Sequence, residues 1–440
     1  MKNIKKAVAC LLLFSVCFCF CSCDILDFIS SSDLFSDYDD ISEYTKIDEI
    51  DFEYSKHYKQ YNSKDSYSQL ENDDMRKLYD ELLKSVYYVH PDKDTDSEYK
   101  LMQVMLEGVK ISQAQIRLTI KALKDDNPAF FWLSDTFAFL ENTDDTYTTV
   151  QLYSRYSPAE LTDMISKLEA KVNGFYASLE SNLTPYQLEL RIHDFIIDNC
   201  VYNDEVTLDN GTSIEEASSF NPYGVLVENL AVCEGYSRAF QLLCHGVNIP
   251  CINLIGKSEG ELHMWSAVEL DNDWYYVDTT WDDNDDESMK YDYFNITQKQ
   301  LLADHSFSEL ASDMTDEQIN GNSDNCALTS NFSIPDCTHD EYNYYVREAP
   351  HLTDYGGDEV INSLMTAATK KAEYFHIYID PDEFTYEYAV DSLFYQYPQH
   401  FFDYVNTVNH SLPDYSIDDD DLSFYKKDTL SVVTVMLSYV

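Results

Sequence analysis

Helical spacing of apolar residues dominates the first half of the chain. The sequence Ser-Pro-Ala-Glu at residues 157–160 is a capping box with proline in the first turn, and it predicts a helix to about Ala177. Thr184-Pro185 begins a further helix in the same way. Residues 147–153 alternate between Thr, Tyr and Val positions and favour a strand. We therefore predict that residues 73–184 form a mainly helical region.

The pattern changes between residues 233 and 282. From Cys233 the apolar residues keep helical spacing as far as Gly246, where a glycine favours a left-handed cap. The later segments INLIGKS, ELHMWSAVEL and WYYVDTTWD are rich in β-branched and aromatic residues and predict three strands. Asp271-Asn272, between the last two segments, is a two-residue hairpin signal. A helix followed by an antiparallel sheet is expected.

The N-terminal segment has the pattern of a targeting sequence. The basic stretch MKNIKK precedes an apolar run that ends in small residues, which is typical of a secretory signal peptide over residues 1–22. Ser22-Cys23 resembles the processing site of bacterial lipoproteins, so Cys23 is the predicted lipidation site. Plain cleavage and uncleaved anchoring stay open. In each case we expect the protein to work outside the cytoplasm, attached to the cell membrane through the lipid if Cys23 carries one.

Acidic residues far outnumber basic residues. The chain has 80 Asp and Glu against 29 Lys and Arg, which gives a formal net charge of −51. A surface with this charge repels nucleic acid and anionic lipid, so nucleic-acid binding is not expected. The charge favours solubility outside the cell, and attraction to cationic partners is the alternative interpretation.

Cysteine usage argues against a disulfide framework and against a zinc site. Six of the 11 cysteines follow the signal region, and no Cys-x-x-Cys pair or Cys/His cluster among them has the spacing of a zinc site. Cys326 and Cys337 are close enough in sequence to pair, and whether they do stays open. The acidic run at residues 282–287 lacks the glycine and ligand spacing of a calcium loop and is interpreted as a solvated loop. No metal is predicted.

Three residues of the 233–282 segment have the chemistry of a catalytic thiol site. Cys233 is expected at a helix N-terminus, where backbone N–H groups and the helix dipole stabilise a thiolate. Extending the hairpin from its turn puts His263 opposite Thr280, with Asp278 as its diagonal neighbour. A carboxylate beside an imidazole fixes its tautomer and lets the other nitrogen accept the thiol proton. Each residue alone is more often structural, and their shared register is what favours chemistry.

The same segment carries a family resemblance. AVCEGYSRAF, the H-x-W of ELHMWSAVEL, and YYVDTTWDD resemble the core of the transglutaminase-like superfamily, whose nucleophile, base and acid occur in this order. The resemblance covers residues 185–305. It implies an α+β fold with a papain-like core, in which the nucleophile helix packs on an antiparallel sheet. It also implies that Cys233 is the nucleophile, that His263 is general base and then general acid, and that Asp278 orients His263.

Composition and resemblance together divide the chain. The predicted order is a signal peptide (1–22), an acidic tether (23–72), a mainly helical N-terminal region (73–184), a transglutaminase-like catalytic core (185–305), a linker (306–350) and a small α/β C-terminal domain (351–440).

The resemblance implies thiol-dependent acyl transfer at amide bonds through a thioester. We expect hydrolysis, as by a protease or amidase, of a peptide or protein substrate at the cell surface or wall. Cross-linking by glutamine transamidation, and a surface binding or scaffold role without chemistry, stay open. The triad needs no cofactor.

The tetrahedral intermediate needs hydrogen-bond donors for its oxyanion. The backbone N–H of Cys233 is the first donor expected from its position. Tyr202 and Tyr223 are candidates for the second because a phenol can donate a hydrogen bond, and ordinary packing is the alternative for both.

Overall fold

The chain folds into two compact units. A computed structural model describes residues 40–53, 60–94, 98–141, 147–206, 217–321 and 326–440. The predicted signal peptide and Cys23 lie outside these residues. The first unit comprises the described residues up to Asn272 together with Asp304–Asp336, and the second comprises Asp273–Ala303 and Cys337–Val440. Among the described residues, no helix has both the length and the apolar character to cross a membrane.

Helices and strands alternate through the first unit. Its helices are α1 (Asp65–Ser68), α2 (Asp73–Ser85), α3 (Gln113–Asp126), α4 (Pro158–Ser178), α5 (Pro185–Asn199), α6 (Cys233–Gly246) and α9 (Asp316–Ile319). Its strands are β1 (Thr45–Lys46), β2 (Tyr88–Lys93), β3 (Tyr99–Leu101), β4 (Val104–Glu107), β5 (Leu133–Glu141), β6 (Tyr147–Ser154), β7 (Val201–Tyr202), β8 (Leu230–Ala231), β9 (Cys251–Ser258), β10 (Glu261–Leu270) and β12 (His305–Phe307). The protein is α+β, as predicted.

The predicted capping boxes begin the helices that they were expected to begin. Ser157 accepts a hydrogen bond from the Glu160 N–H at the start of α4, and Thr184 accepts one from the Gln187 N–H at the start of α5. In both helices the backbone N–H of the cap residue donates in turn to the side-chain oxygen of Glu160 or Gln187. One local motif therefore satisfies two N–H groups.

The N-terminal region contains a sheet in addition to its helices. The strands run in the order β1-β2-β3-β6-β4, and β5 also pairs with β6. Sequence analysis predicted only β6 of these strands. The others are short or irregular, and register shifts interrupt the pairing of β2 with β3 and of β5 with β6, so alternation is not visible along them.

Residues of the predicted acidic tether belong to the folded unit. Tyr44, Ile47 and Phe52 are buried, β1 pairs with β2, and the Tyr61 N–H donates to the His245 carbonyl at 2.6 Å. The tether prediction is therefore wrong for the described residues from 44 onwards. Isolated apolar side chains in an acidic segment are enough to fix it to the core when each one is buried.

A smaller sheet of the first unit packs against α6. β9 pairs antiparallel with β10 on one side and with β12 on the other. Gly256 of β9 is the register partner of both His263 and Phe307. This is the helix-on-sheet arrangement predicted for residues 233–270.

Gly246 ends α6 but does not form the predicted left-handed cap. It is the last helical residue, and Asn248 is the nearby residue with positive φ, at 63°. A Cβ at Gly246 would lie 1.7 Å from the Tyr176 hydroxyl oxygen. The glycine is therefore required by the close approach of α4, and not by backbone conformation.

The second unit has its own core. Its helices are α7 (Thr279–Asp282), α8 (Gln298–Leu301), α10 (Tyr344–Glu348), α11 (Asp358–Thr369), α12 (Tyr386–Val390) and α13 (His400–Asn409); its strands are β11 (Asp273–Val277), β13 (His351–Leu352), β14 (Tyr374–Ile379), β15 (Ser423–Lys427) and β16 (Val432–Met436). The sheet order is β13-β14-β16-β15, parallel only between β13 and β14. Buried residues of β14, β16, α11 and α13 form one apolar cluster. This unit extends beyond the predicted C-terminal domain of residues 351–440, because it also contains Asp273–Ala303, which the prediction assigned to the catalytic core, and residues 337–350.

The predicted linker at 306–350 is folded. Met314 and Ile319 pack with Ala114 in the first unit, and Tyr345 is fully buried in the second. The linker prediction is wrong because these residues supply core contacts to both units. The polar composition of the segment did not indicate these core contacts.

Candidate active site

Cys233 is the first residue of α6. It is 5% exposed, and Val232 before it is extended and occupies the cap position. A valine side chain cannot accept a hydrogen bond, so it leaves the first N–H groups of the helix to other partners. The Val232 N–H donates to the Ser219 carbonyl at 3.0 Å. The predicted helix start is confirmed, and it puts the thiol at the positive end of the helix dipole.

A hydroxyl ties α6 to the strand that carries His263. The Ser237 Oγ lies 2.9 Å from the Cys233 carbonyl and 3.0 Å from the Met264 carbonyl. Cys233 also packs in an apolar cluster with Met264 and Leu262, the two neighbours of His263. Ser237 was not among the predicted site residues, although its spacing of four from Cys233 places both on one helix face.

His263 lies in a stack of aromatic rings within the first unit. Its ring centroid is 6.0 Å from that of Trp265 and 5.5 Å from that of His305. His305 is held in turn by Asp304, whose Oδ1 lies 2.5 Å from Nδ1. His263 is 7% exposed. The packing restricts the orientation of the imidazole, which a general base requires.

Gly256 allows this stack to form. A Cβ there would lie 1.9 Å from the Ser306 carbonyl oxygen and 2.5 Å from the Trp265 ring. We expect Gly256→Ala to lower the free energy of unfolding by about 1–3 kcal/mol, because backbone of β12 must move. Urea unfolding measures it. Gly174→Ala, in the middle of α4 with open space around it, is the control and is expected to be neutral or stabilising. Equal stability of the two variants would contradict the packing.

Asp278 belongs to the second unit and caps a short helix. Its Oδ1 accepts hydrogen bonds from the N–H groups of Thr280 and Trp281, at 3.0 and 3.2 Å. β11 ends at Val277 and Thr279–Asp282 is helical, so the predicted strand pairing of His263 with Thr280 is wrong. The aspartate that ends the strand also starts the helix, and local capping overrides strand propensity here. The contact of Asp278 with His263 stays a prediction.

The two oxyanion candidates have different surroundings. Tyr202 is 39% exposed, and its strand β7 pairs with β8 so that Tyr202 is the register partner of Ala231, two residues before Cys233. Tyr223 is buried and stacks on Phe131 with ring centroids 5.3 Å apart. Burial raises the pKa of Tyr223. Packing accounts for the position of Tyr223, and the role of either phenol as an oxyanion donor stays a prediction.

One residue of the acidic run at 282–287 is buried in the structure. Asp282 is 1% exposed and its Oδ1 accepts from the Tyr293 N–H at 2.8 Å, so the solvated-loop interpretation is wrong for this residue. The other end of the run includes Asp286, which caps a turn through the Ser288 N–H. Cys326 and Cys337 do not form a disulfide, and neither do the other four described cysteines, Cys200, Cys233, Cys244 and Cys251.

One part of the chain is similar to a known family. Residues 175–279 match the family model described as the transglutaminase-like superfamily, and this range contains Cys233, His263 and Asp278. The segment is similar to a transglutaminase-like domain, and the match spans less than half of the chain. Members of the superfamily are typically cysteine peptidases or transglutaminases.

Individual relatives share only part of this chain. The kyphoscoliosis peptidases of Mus musculus and Homo sapiens are each 29% identical over an aligned stretch that covers 15% of this chain and 12% of their own length. The chain thus spans about an eighth of the curated relatives that it matches. A crystal structure of a TGase (13% identity, 42% of this chain, 52% of that chain) has a TM-score of 0.24, and a candidate cysteine protease from Cytophaga hutchinsonii (14%, 43%, 68%) has 0.20.

A network of charged side chains includes Glu234, the residue that follows Cys233. The Arg238 Nε donates to the Glu234 Oε1 at 2.8 Å, and Lys124 and Arg155 both pair with Asp135. These five side chains line a groove of about 490 Å³, together with aromatic residues of the 128–133 segment. The Glu234–Arg238 pair is local, at i,i+4 on α6, whereas Lys124, Asp135 and Arg155 come from other parts of the sequence and no local pattern brings them to this pair.

Loss of Arg238 from its buried pair with Glu234 is expected to destabilise the fold strongly. Burial raises the pKa of the Glu234 carboxyl, and the charges of Arg238 and Lys124 oppose that rise. Arg238→Met removes the main compensation and should lower the free energy of unfolding at neutral pH by about 3–5 kcal/mol. Urea unfolding tests this, with the exposed Arg191→Met as control, since Arg191 is 3.9 Å from an exposed Glu180.

The loss in Arg238→Met should shrink as the pH falls. Without Arg238 the folded-state pKa of Glu234 rises further above its unfolded value, so the folded protein binds a proton that the unfolded chain does not. Protonation of Glu234 therefore stabilises the folded Arg238→Met variant at low pH, and this contribution is lost as the pH rises through the folded-state pKa of Glu234. The difference from wild type, measured at pH 7 and pH 5, should be smaller at pH 5. A difference that does not change with pH would exclude Glu234 as its source.

Proposed function

We propose that this protein is a thiol-dependent hydrolase of amide bonds, with Cys233 as nucleophile, His263 as base and then acid, and Asp278 as the residue that orients His263. The observation that carries the proposal is the start of α6 at Cys233, tied through Ser237 to the residue that follows His263. A thiol at a helix N-terminus beside a histidine strand is the arrangement that nucleophilic catalysis by cysteine needs.

The proposed reaction uses two half-steps. His263 accepts the Cys233 proton, the sulfur attacks the amide carbonyl, and the backbone N–H of Cys233 donates to the oxyanion. The C–N bond breaks as the imidazolium donates its proton to the leaving amine, which leaves a thioester. Water then attacks the thioester while His263 accepts its proton, and release of the carboxylic acid restores the thiol.

The proposed setting is outside the cytoplasm. A signal peptide over residues 1–22 and a lipid on Cys23 would hold the protein at the cell membrane, with peptides or proteins of the cell surface or wall as substrates. The net charge of −51 supports solubility there. Metabolic labelling with a palmitate analogue tests lipidation, and labelling that persists in Cys23→Ala would contradict it.

Alkylation by iodoacetamide tests the nucleophile without a known substrate. Cys244 and Cys251 are fully buried, so slow labelling of those two says nothing about activation of Cys233. The informative reference is glutathione at the same pH. Because thiolate is the reacting form, we expect Cys233 in the folded protein to label faster than glutathione. Labelling slower than glutathione would favour a binding or scaffold role.

Product masses distinguish hydrolysis from transamidation. The protein is incubated with a peptide library and a primary amine such as cadaverine, with Cys233→Ala as control. Hydrolysis adds the mass of water to the acyl fragment, whereas transamidation adds the amine. We expect water addition, and ε-linked or amine-linked products would overturn the hydrolase assignment.

A further inference from the structure

We propose that Lys427 of the C-terminal domain is a positioning residue for Asp278. The proposal rests on the proposed function, because it concerns the orienting carboxylate of that triad. The segment Asp273–Ala303 carries Asp278 and forms one compact unit with residues 337–440. Through Lys427, the C-terminal domain of residues 351–440 would influence the reaction although it contains none of the proposed catalytic residues.

Lys427 is the centre of a buried polar cluster within this unit. Its Nζ lies 2.6 Å from the Asp292 Oδ1, 2.8 Å from the Ser288 carbonyl and 3.1 Å from the Tyr345 hydroxyl. The Tyr345 hydroxyl also donates to Asp292. The side chains of Lys427 and Asp292 are 9% and 13% exposed. Two of the three contacts of Lys427 lie in the 273–303 segment, so the lysine holds that segment to β15.

A short chain of contacts leads from Asp292 to Asp278. Tyr293 follows Asp292 directly, and its carbonyl accepts the Asp278 N–H at 3.1 Å. The Tyr293 N–H donates to Asp282, and its ring lies 5.2 Å from that of Trp281, whose N–H donates to Asp278. The backbone N–H of Asp278 is thus held by the residue that follows Asp292, and the carboxylate is held by Trp281, whose ring packs against that same residue.

Loss of the Lys427 charge would weaken the attachment of the 273–303 segment to β15. Burial already raises the pKa of the Asp292 carboxyl, and the Lys427 ammonium opposes that rise. Without Lys427 the carboxyl either stays charged with only the Tyr345 hydroxyl as its side-chain partner or takes up a proton, and in both cases the segment around Tyr293 is held less firmly. A displacement of about 1 Å at a catalytic group can cost roughly 100-fold in rate.

The experiment compares two adjacent lysines of one strand in the full-length protein. Lys427→Met removes the ammonium group that binds Asp292, whereas Lys426→Met removes the same charge from an exposed site over the Tyr395 ring. We expect the rate of Cys233 alkylation by iodoacetamide to fall roughly 10- to 100-fold in Lys427→Met and to stay at the wild-type value in Lys426→Met. Lys427→Arg, which keeps the charge and can reach Asp292, should recover most of the rate. Melting temperatures confirm that the compared samples are folded.

A double-mutant cycle separates positioning from general loosening of the fold. If Lys427 acts through Asp278, Lys427→Met in the Asp278→Asn background should cause no further loss. Independent, additive losses, or a Lys427→Met rate equal to that of Lys426→Met, would overturn the proposal. A wild-type Cys233 that labels no faster than glutathione would instead overturn the proposed function, so the two failures are distinguishable. If Lys427→Met does not fold, Asp292→Asn provides the same cycle from the other partner.

Discussion

Cys233→Ala is expected to abolish amide-bond hydrolysis, with a loss in kcat on the order of 10⁶-fold, while the protein stays folded. The change removes the sulfur that forms the thioester, and only background catalysis by the remaining groups is left. Alanine occupies less volume than cysteine and is compatible with the first turn of α6, so the cost in stability should be small. Turnover of a peptide found in the library screen, and the melting temperature, are measured on the same preparation.

A matched control distinguishes chemistry from packing at this position. Cys326→Ala removes a buried thiol of the first unit, which is 2% exposed and has no role in the proposed reaction. It should keep wild-type turnover. If Cys233→Ala retained the activity, or if both variants lost it equally, the nucleophile would have to be sought elsewhere.

Asp278→Asn is expected to lower turnover on the order of 10⁴-fold with the fold intact. The amide oxygen can still accept the N–H groups of Thr280 and Trp281, so the cap of α7 is kept. The amide cannot offset the charge of an imidazolium, and it can hold the wrong tautomer of His263. The substitution therefore separates the charge of Asp278 from its capping role.

A purely structural role of Asp278 predicts different results for the same variants. If Asp278 is only a helix cap, Asp278→Asn should change little, and Asp278→Ala should lower stability by about 1 kcal/mol while the folded fraction keeps its specific activity. Asp278→Glu should keep the charge at a shifted position and be impaired more mildly than the asparagine variant. Cys233 alkylation and melting temperature, measured together, decide between the two roles, and unchanged alkylation in folded Asp278→Asn would remove Asp278 from the mechanism.

Sequence patterns predicted those features whose determinants are local. The starts of α4 and α5 are set by hydrogen bonds within four residues, at Ser157 and Thr184. The start of α6 at Cys233 follows from apolar spacing along one helix face. Local determinants of this kind need no knowledge of the rest of the fold.

Features that depend on distant partners were not predictable in this way. Tyr44 and Phe52 are single apolar residues in an acidic segment, and their burial depends on surfaces formed much later in the chain. Asp135 attracts both Lys124 and Arg155, so that pairing needs three segments to be in place. At Asp278 a strand pattern and a capping residue competed, and the hydrogen bonds of the cap decided the result.

The contact between Gly246 and the Tyr176 hydroxyl has a consequence for how a survey of substitutions in this protein would be interpreted. Every side chain at position 246 begins with a Cβ at a point already occupied by Tyr176. Position 246 should therefore tolerate substitution as poorly as Cys233 does, although it takes no part in the chemistry and lies at the opposite end of the same helix. A cellular screen for function would score both positions as essential. Only a separate measurement of protein abundance would distinguish them, because Gly246 variants should lose the protein and Cys233 variants should lose only its activity.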